Sequence, residues 1–518
     1  MANKNLFASA PGKRIPATTT VNVAGGRAYQ FEPRQALAQY AATGCLNSTF
    51  YASAEAQLDT VLTLCQGVSP KFIAQAAVYA REHGHMKDLP ALLLARLSAV
   101  DSKQLERVFD RVCDNARMVR NFVQIVRSGA AGRKSLGTVP KRLVQRWFDR
   151  RSDEQLFHAS VGQSPSLADL VKMVHPRPST PARAAFYGWL LGRKHDAAAL
   201  PACVQAFERY KSERQGPTPD VPFQMLTALE LGTVAWAEIA RRASWQMTRM
   251  NLNTFARHSA FGEAGVTRAV AQRLRDHDEI RRARVFPYQL LVAHSQVDEK
   301  VPAEVRDALE AAMEIAIENV PSIPGGVVVC PDVSGSMQTP VTGYRVGATT
   351  AVRCVDVAAL VAAAFRRKNA DCKVLPFSDG VVPCALGRND TVLRNAKKLA
   401  SLPSGGTNCS APLVALNKEH FQAELVVMVS DNMSWVDSAQ GGRGTATMQA
   451  WAHYKVRNPR ARLVCLDIQP GVSTQAEECA DILNVGGFSD AVFEIIARFA
   501  QGELAPDHWV GEIEKIEV

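Results

Sequence analysis

Three short words in the sequence carry oxygen donors of the kind a hard divalent cation selects. Asp332-Val333-Ser334-Gly335-Ser336 puts one carboxylate and two hydroxyls at alternate positions of a Gly-containing turn. Thr407 follows in Gly405-Gly406-Thr407-Asn408, and Asp431 in Ser430-Asp431-Asn432. Mg²⁺ takes oxygen ligands in an octahedron at about 2.0–2.1 Å, and side chains at i, i+2 and i+4 of a curled loop can aim at one centre. A bare Asp-x-Ser-x-Ser arises by accident in roughly one chain in ten of this length, so the weight falls on the three words together. The bland alternative is that these Ser and Asp side chains only cap loops. No general base is placed beside a nucleophile, and no Lys follows a phosphate-cradling Gly-rich loop, so no catalytic residue is assigned. The expectation is one divalent cation, Mg²⁺ ahead of Mn²⁺ or Ca²⁺, held by Asp332, Ser334, Ser336, Thr407 and Asp431 for adhesion or structural support.

The surrounding residues supply the elements to position these words. After 321–326, Pro-Ser-Ile-Pro-Gly-Gly, continuous Val/Ile/Leu runs at 327–330, 373–377, 425–429 and 462–468 alternate with helical patterns at 355–368, 391–402, 446–456 and 491–500. Strands apolar on both faces belong to a parallel sheet covered by helices on each side, and open sheets of this kind bind ligands at the carboxyl ends of their strands. Asp332 and Asp431 each follow directly on such a strand. Residues 321–518 therefore read as a doubly wound α/β domain.

The 518 residues carry 60 Lys plus Arg against 50 Asp plus Glu and are 47% apolar and 21% charged, which suits two to four folded domains and excludes a disordered chain. Residues 1–16 lack the apolar core of a leader, and the longest apolar run, 357–365, is far below the roughly 20 residues of a membrane span. The 11 cysteines form an odd set with no CxxC pair, mostly within apolar runs, as buried thiols in a reducing compartment. The expectation is a soluble cytoplasmic protein with no membrane partner.

The positive charge is concentrated in one half. Residues 1–300 are net +16 and 301–518 net −6, and 101–150 alone hold 12 basic and 5 acidic side chains. That density makes nucleic acid the leading partner. From 32 to about 319 the apolar residues recur at helical spacing with stops at Gly44, Gly67, Gly84, Gly129 and Gly192, enough for about 14 to 16 helices and no strand before Gly325. Stacked helical hairpins of HEAT-like type are expected, in domains spanning 1–31 (an extension), 32–320 and 321–518.

In the helix 140–150, Arg142, Arg146 and Arg150 fall on one face, flanked by Lys141, while Leu143, Val144, Trp147 and Phe148 form the other. The preceding helix adds Arg117, Arg120 and Arg127, and the following loop adds Arg133 and Lys134. These nine arginines and lysines are read as phosphate contacts, the alternative being a solvated face paired with local acids such as Asp114 and Asp149. The runs 281–284 and 366–368 are read as helix-end cations, His83-x-His85 as a loop pair, and 304–320 as a linking helix whose Asp307, Glu310, Glu314 and Glu318 side would repel RNA.

The site words, in order, resemble the metal-ion-dependent adhesion site of a von Willebrand factor A domain, a family in which one coordination position is left for an acidic group of a partner. A basic helical region ahead of such a domain resembles the Ro autoantigen family of TROVE-domain ribonucleoproteins. Supporting words run over nearly the whole chain: Asn47-Ser48-Thr49-Phe50-Tyr51, Lys87-Asp88-Leu89-Pro90-Ala91-Leu92, His175-Pro176-Arg177-Pro178 and Val285-Phe286-Pro287-Tyr288 among them. The resemblance implies a ring of HEAT-like repeats closed by the metal domain, binding small noncoding Y RNA on its outer face and single-stranded 3′ ends of misfolded or precursor RNA in its central hole. It also implies RNA quality control under stress, with an exoribonuclease tethered through the RNA, by a monomeric protein that is not an enzyme. It makes His175 the cavity-rim histidine and leaves Arg146, Arg150 or Arg151 for the basic-helix position. The competing reading is a metal-dependent protein-adhesion module on a helical solenoid, and a Mg²⁺-dependent hydrolase is the remote third.

Overall fold

The computed structural model describes residues 15–518 apart from 44, 45, 47, 49, 50, 215, 217, 284, 286, 342–351, 388, 437–442, 488–490 and 505–507. The helix stop expected at Gly44 and the last arginine of the 281–284 run lie outside the described residues. Contacts divide the chain into two compact units: Cys65–Leu274 with Val297–Arg306 and Ile516–Val518, and Met1–Leu64 with Arg275–Gln296 and Asp307–Lys515. This differs from a single cut near 320, because the amino-terminal segment packs with the sheet rather than with the helices that follow it.

The first unit is helical, and each helix begins where local chemistry starts it. Ser69 accepts from the Phe72 amide ahead of the helix Pro70–Glu82, Asp101 caps Ser102–Val112, and Asn115 caps Ala116–Ser128. Ala116–Ser128 ends on Gly129 at φ 87, a left-handed conformation that glycine adopts without steric cost. Leu105, Val108, Phe109 and Val112 line the inner face of Ser102–Val112, and Phe109 meets Phe122 edge-on at 5.4 Å. Leu89–Val100 is apolar all round and buried along most of its length, so it forms the centre on which its neighbours pack. Among the described residues 18 α-helices precede Gly325, somewhat more than the spacing predicted.

The second unit contains a five-stranded parallel sheet. Its strands are β3 (Val327–Pro331), β4 (Lys373–Val374), β5 (Leu425–Ser430), β6 (Arg462–Asp467) and β8 (Ile482–Gly486), in spatial order β4-β3-β5-β6-β8. Every residue of β3, β5 and β8 is buried, as expected of strands covered on both faces. The helices Cys354–Lys368, Val392–Ala400, Ala446–Arg457 and Ala491–Gln501 stand where the apolar patterns placed them. The helix Ala411–Lys418 and strand β8 were not anticipated; both are short, and β8 carries Asn484 and Gly486 in place of a continuous aliphatic run.

The expectation of no strand before Gly325 is corrected. β1 (Thr20–Val21) and β2 (Arg27–Gln30) form a hairpin, and β2 continues antiparallel onto β7 (Ser473–Thr474). β2 alternates exposed ends with a buried centre over four residues, too short for periodicity to register. Its partner lies more than 440 residues away. Asn22 closes the hairpin by accepting from the Gly26 amide at 2.8 Å and donates to the Ser434 carbonyl at 2.9 Å. A Cβ on Gly26 would lie 1.9 Å from that same carbonyl oxygen, so only glycine fits there. Gln39 likewise donates to the Asn484 carbonyl at 2.8 Å. The expected extension 1–31 is thus, over its described part, a component of the sheet unit.

The acidic side of 304–320 is partly used within the fold. Glu310 accepts from the Thr391 hydroxyl, while Glu314 accepts from the Val392 amide at 2.7 Å and pairs with Arg367 at 3.2 Å. Two of the four carboxylates expected to repel RNA therefore anchor the start of a helix instead. Among the described residues no helix is long and apolar enough to cross a membrane.

Candidate functional site

The loop carrying Asp332 is held on both sides by the strands beside it. The Asp332 amide donates to the Val429 carbonyl at 2.9 Å and the Val333 amide to the Phe377 carbonyl at 2.8 Å. Gly335 then donates to the Gly405 carbonyl at 3.0 Å, which draws the Thr407 loop against the first turn. Asp431 follows β5 directly, and the chain leaves through Asn432 at φ 57, a left-handed conformation that Asn tolerates better than most side chains. Parallel pairing of β3 and β5 in register, Pro331 opposite Val429, is what sets Asp332 and Asp431 side by side. The five residues named from the sequence thus share one end of one sheet.

Within the site, the Asp332 carboxylate accepts from the Ser334 amide at 2.8 Å and from the Ser430 hydroxyl at 2.7 Å. The Ser334 and Ser336 hydroxyls lie 3.4 Å apart, and Asp431 accepts from the Met433 amide at 3.2 Å. Burial, and then the neighbouring Asp431, pushes the Asp332 carboxyl up to about 7. Burial also raises Asp431. Two carboxylates removed from water beside each other repel unless a cation offsets them, and two carboxylates with three hydroxyls form the donor set a hard divalent ion takes. Asp332, Ser334, Ser336, Thr407 and Asp431 therefore fit such an ion.

Three further residues belong to this neighbourhood and were not singled out from the sequence. Ser430 orients Asp332. Asp467, buried at the end of β6, is pushed well up by burial and by Asp431, but its carboxylate already accepts the amides of Gln469, at 3.1 Å, and Gly471. Tyr51 also belongs to this neighbourhood: burial, and then the Asp431 charge, raises its phenol. Sequence distance hides these relations; for Asp467 alone there was a signal, a carboxylate closing an apolar strand.

The basic residues lie in the helical unit, and the structure corrects the expectation of a free cationic face. The helix Thr138–Asp149 does bury Leu143, Val144, Trp147 and Phe148 and turn the arginines outward. However, Arg142 pairs with Glu106, while Arg146 and Arg150 share Asp110 at 3.0 and 2.5 Å. Glu106 and Asp110 are one turn apart on Ser102–Val112, so two acids at helical spacing meet three arginines at the same spacing. Neither Asp114 nor Asp149, the partners weighed from sequence proximity, is used for this.

Other predicted contacts also have internal roles. Arg133 donates to the Ser98 and Ser135 carbonyls, Arg127 reaches the Met173 sulfur at 2.9 Å, and the Lys134 stem packs over Gly129. Lys141 lies half-buried in the first turn of Thr138–Asp149. His175 is exposed in the left-handed conformation that ends the helix Leu167–Val174, and Gln145 donates to the Val174 carbonyl beside it at 2.6 Å. This brings His175 next to the arginine helix.

Beside this helix lies a cleft of about 640 Å³ lined by Arg117, Arg120, Arg150, Arg151, Trp147, His158 and Asp114. Arg120 donates to the Ala159 and Val161 carbonyls, and Arg151 to the Asp114 carbonyl while lying 4.3 Å over the Trp147 ring. Burial, and then Arg117, lowers the Arg120 guanidinium; burial lowers that of Arg151. The Trp147 and His158 ring nitrogens, Nε1 and Nε2, are buried without a hydrogen-bond partner. Of the cluster read from the sequence, the structure brings Arg117, Arg120 and Arg150 together here and adds Arg151.

Comparison with known proteins adds three findings. The family model of the TROVE domain matches residues 150–304, and that of the Ro60 vWA domain matches residues 327–500. Among curated proteins, the RNA-binding protein RO60 of Deinococcus radiodurans is 24% identical over 531 residues, covering 95% of this chain and 97% of that one. The RNA-binding protein RO60 of Caenorhabditis elegans is 22% identical over 45% of this chain and 37% of its own length. The crystal structure of the Deinococcus radiodurans RO (RSR) protein shares the fold at a TM-score of 0.62 and 21% identity, covering 91% of this chain and 100% of that one.

Proposed function

We propose, on the premise that this chain belongs to the Ro60 family of TROVE-domain proteins, that it is an RNA-binding scaffold and acts without catalysing a reaction. The observation that carries the reading is the cleft of Arg117, Arg120, Arg150 and Arg151, four guanidinium groups lined by one carboxylate, Asp114, with Asp110 pairing Arg150 from beside it. Guanidinium groups in such a setting favour phosphate oxygens as partners. Arg142 and Arg146 extend this surface, since exposed ion pairs are worth only about 0.2–1 kcal/mol and open readily to a polyanion.

The finer reading follows the family resemblance. A small noncoding Y RNA binds the helical face around Arg117, Arg150 and His175, unpaired 3′ ends of misfolded or precursor RNA are a second ligand, and an exoribonuclease is recruited through the RNA in the cytoplasm. The metal site takes one divalent cation, Mg²⁺ first, through Asp332, Ser334, Ser336, Thr407 and Asp431. When bound, that ion supplies charge balance for the two buried carboxylates. Sequencing the RNA that copurifies at native salt, with Arg117→Glu/Arg150→Glu as the comparison, tests the reading. A discrete small RNA lost from the double variant is expected, with the salt slope of binding reduced by about two. Equal RNA retention by both proteins would remove the proposal.

A further inference from the structure

The cleft beside the arginine helix gathers more hydrogen-bond donors than a single linkage of an RNA strand can use. Three elements surround it: the start of Ala116–Ser128, the end of Thr138–Asp149 with the residues that follow, and Asp153–Ala159. The first contributes Arg117, Arg120 and the amides of Ala116 and Arg117, which have no acceptor among the described residues because a helix leaves its first amides unpaired. Anions are favoured at such an end. The second contributes Arg150, Arg151 and Trp147, a side chain only 1% exposed whose Nε1 has no hydrogen-bond partner. The third contributes His158, whose buried Nε2 is likewise unpartnered. Leaving a buried polar atom unpaired costs about 1–3 kcal/mol, so both ring nitrogens favour a ligand that supplies the missing hydrogen bond.

The arginines are arranged to hold such a ligand. Arg120 donates to the Val161 carbonyl at 2.7 Å and Arg151 to the Asp114 carbonyl at 2.9 Å, which fixes both while leaving each guanidinium further N–H groups. The Arg117 guanidinium is exposed and, among the described residues, has no hydrogen-bond or ion-pair partner. Two carboxylates stand near. Asp114 pairs with Arg81 at 2.7 Å, and Asp110 divides between Arg146 and Arg150. Counting both fully against the four arginines still leaves two positive charges in the cleft.

We propose that this cleft holds the terminal phosphate of an RNA, a monoester at one end of the strand, in preference to the phosphodiesters within it. The inference rests on the RNA-binding reading above and deepens it by naming the group of the RNA that the cleft takes. A monoester carries about −1.5 to −2 at pH 7, which matches the two surplus charges, whereas one diester linkage carries a single charge. Its three free oxygens accept from three sides, as the three elements present their donors; a diester has two such oxygens and continues as chain in both directions.

The test uses the full-length protein, freed of copurifying RNA at high salt, and competition against a short labelled single-stranded RNA. Unlabelled competitors of the same sequence carry hydroxyls at both ends, a 5′-phosphate or a 3′-phosphate. A hydroxyl-ended strand one nucleotide longer controls for added charge, and uridine monophosphate for a free nucleotide. One phosphate-ended strand is expected to compete about tenfold better than its hydroxyl-ended counterpart, the scale of one hydrogen bond to a charged group, and it names the end that is held. Arg117→Gln should lower that ratio to about twofold, and Trp147→Phe, which keeps an aromatic ring without Nε1, should fall between. Circular dichroism establishes that the variants are folded, and Arg117→Gln, at an exposed position, carries the test if Trp147→Phe does not fold. An advantage no larger than that of the longer strand, with RNA still bound, overturns the terminal-phosphate assignment and leaves the RNA reading standing. An unchanged ratio in Arg117→Gln, or uridine monophosphate competing as well as the phosphate-ended strand, also overturns it. Failure of every strand to bind removes the RNA reading and this assignment together.

Discussion

Ser430 donates a 2.7 Å hydrogen bond to Asp332, joining the last residue of one strand to the first residue beyond its neighbour, 98 positions earlier in the chain. The same hydroxyl accepts from the Asn432 amide at 3.0 Å, so one side chain orients a carboxylate and shapes the turn that presents Asp431. Partners behind a metal ligand fix its direction as firmly as the strand does.

Ser430→Ala should therefore weaken Mn²⁺ binding about 10- to 100-fold while costing about 1 kcal/mol of stability. Calorimetric titration alongside a denaturant melt separates the two effects. Unaltered affinity would mean that backbone contacts alone orient Asp332.

Asp110 holds both Arg146 and Arg150. Asp110→Asn should release them at a cost of about 0.2–1 kcal/mol and tighten RNA binding, with a salt slope steeper by about one to two. Filter binding across a salt series reads this directly. Weaker binding, or none of the extra salt dependence, would show that the paired arginines do not reach phosphate.

Phe122 is fully buried and packs edge-on against Phe109 in the helical unit. Phe122→Ala should destabilise that unit by about 3–5 kcal/mol, since the loss combines transfer energy with an unfilled cavity. Denaturant unfolding followed by a probe in the helical unit measures it. A loss below about 1 kcal/mol would contradict the packing described.

Hydrogen bonding to Arg111 holds the Glu82 carboxyl below its ordinary range, against the opposing effect of burial. A carboxyl depressed on folding adds stability above its unfolded pKa, and that stability disappears as pH falls through the lower folded value. Both side chains are more than a third exposed, so the contribution is about a few tenths of a kcal/mol. Between about pH 5 and 3, wild type should lose slightly more stability than Glu82→Gln. Parallel acid-melting curves would contradict the pairing.

Much of this was legible in the chain itself. Apolar runs buried on both faces marked β3, β5 and β6, since such a strand must be aliphatic along its whole length, and Asp332 and Asp431 stood out because each directly follows one. Amphipathic spacing also showed which face of Thr138–Asp149 is inside, because that periodicity is local.

What the tertiary structure decided was pairing between distant segments. Nothing local to Arg142, Arg146 and Arg150 marks Glu106 and Asp110 as their partners, which helix packing alone brings opposite them. β2 became a strand because β7 pairs with it, and Asn22 reached the Ser434 carbonyl because the amino-terminal segment packs within the sheet unit. Composition and periodicity specify which groups a segment offers and which side it buries. Which charge is neutralised depends on partners 36 to 40 positions away, and which strand is completed on one at the far end of the chain, and those contacts exist only in the folded chain.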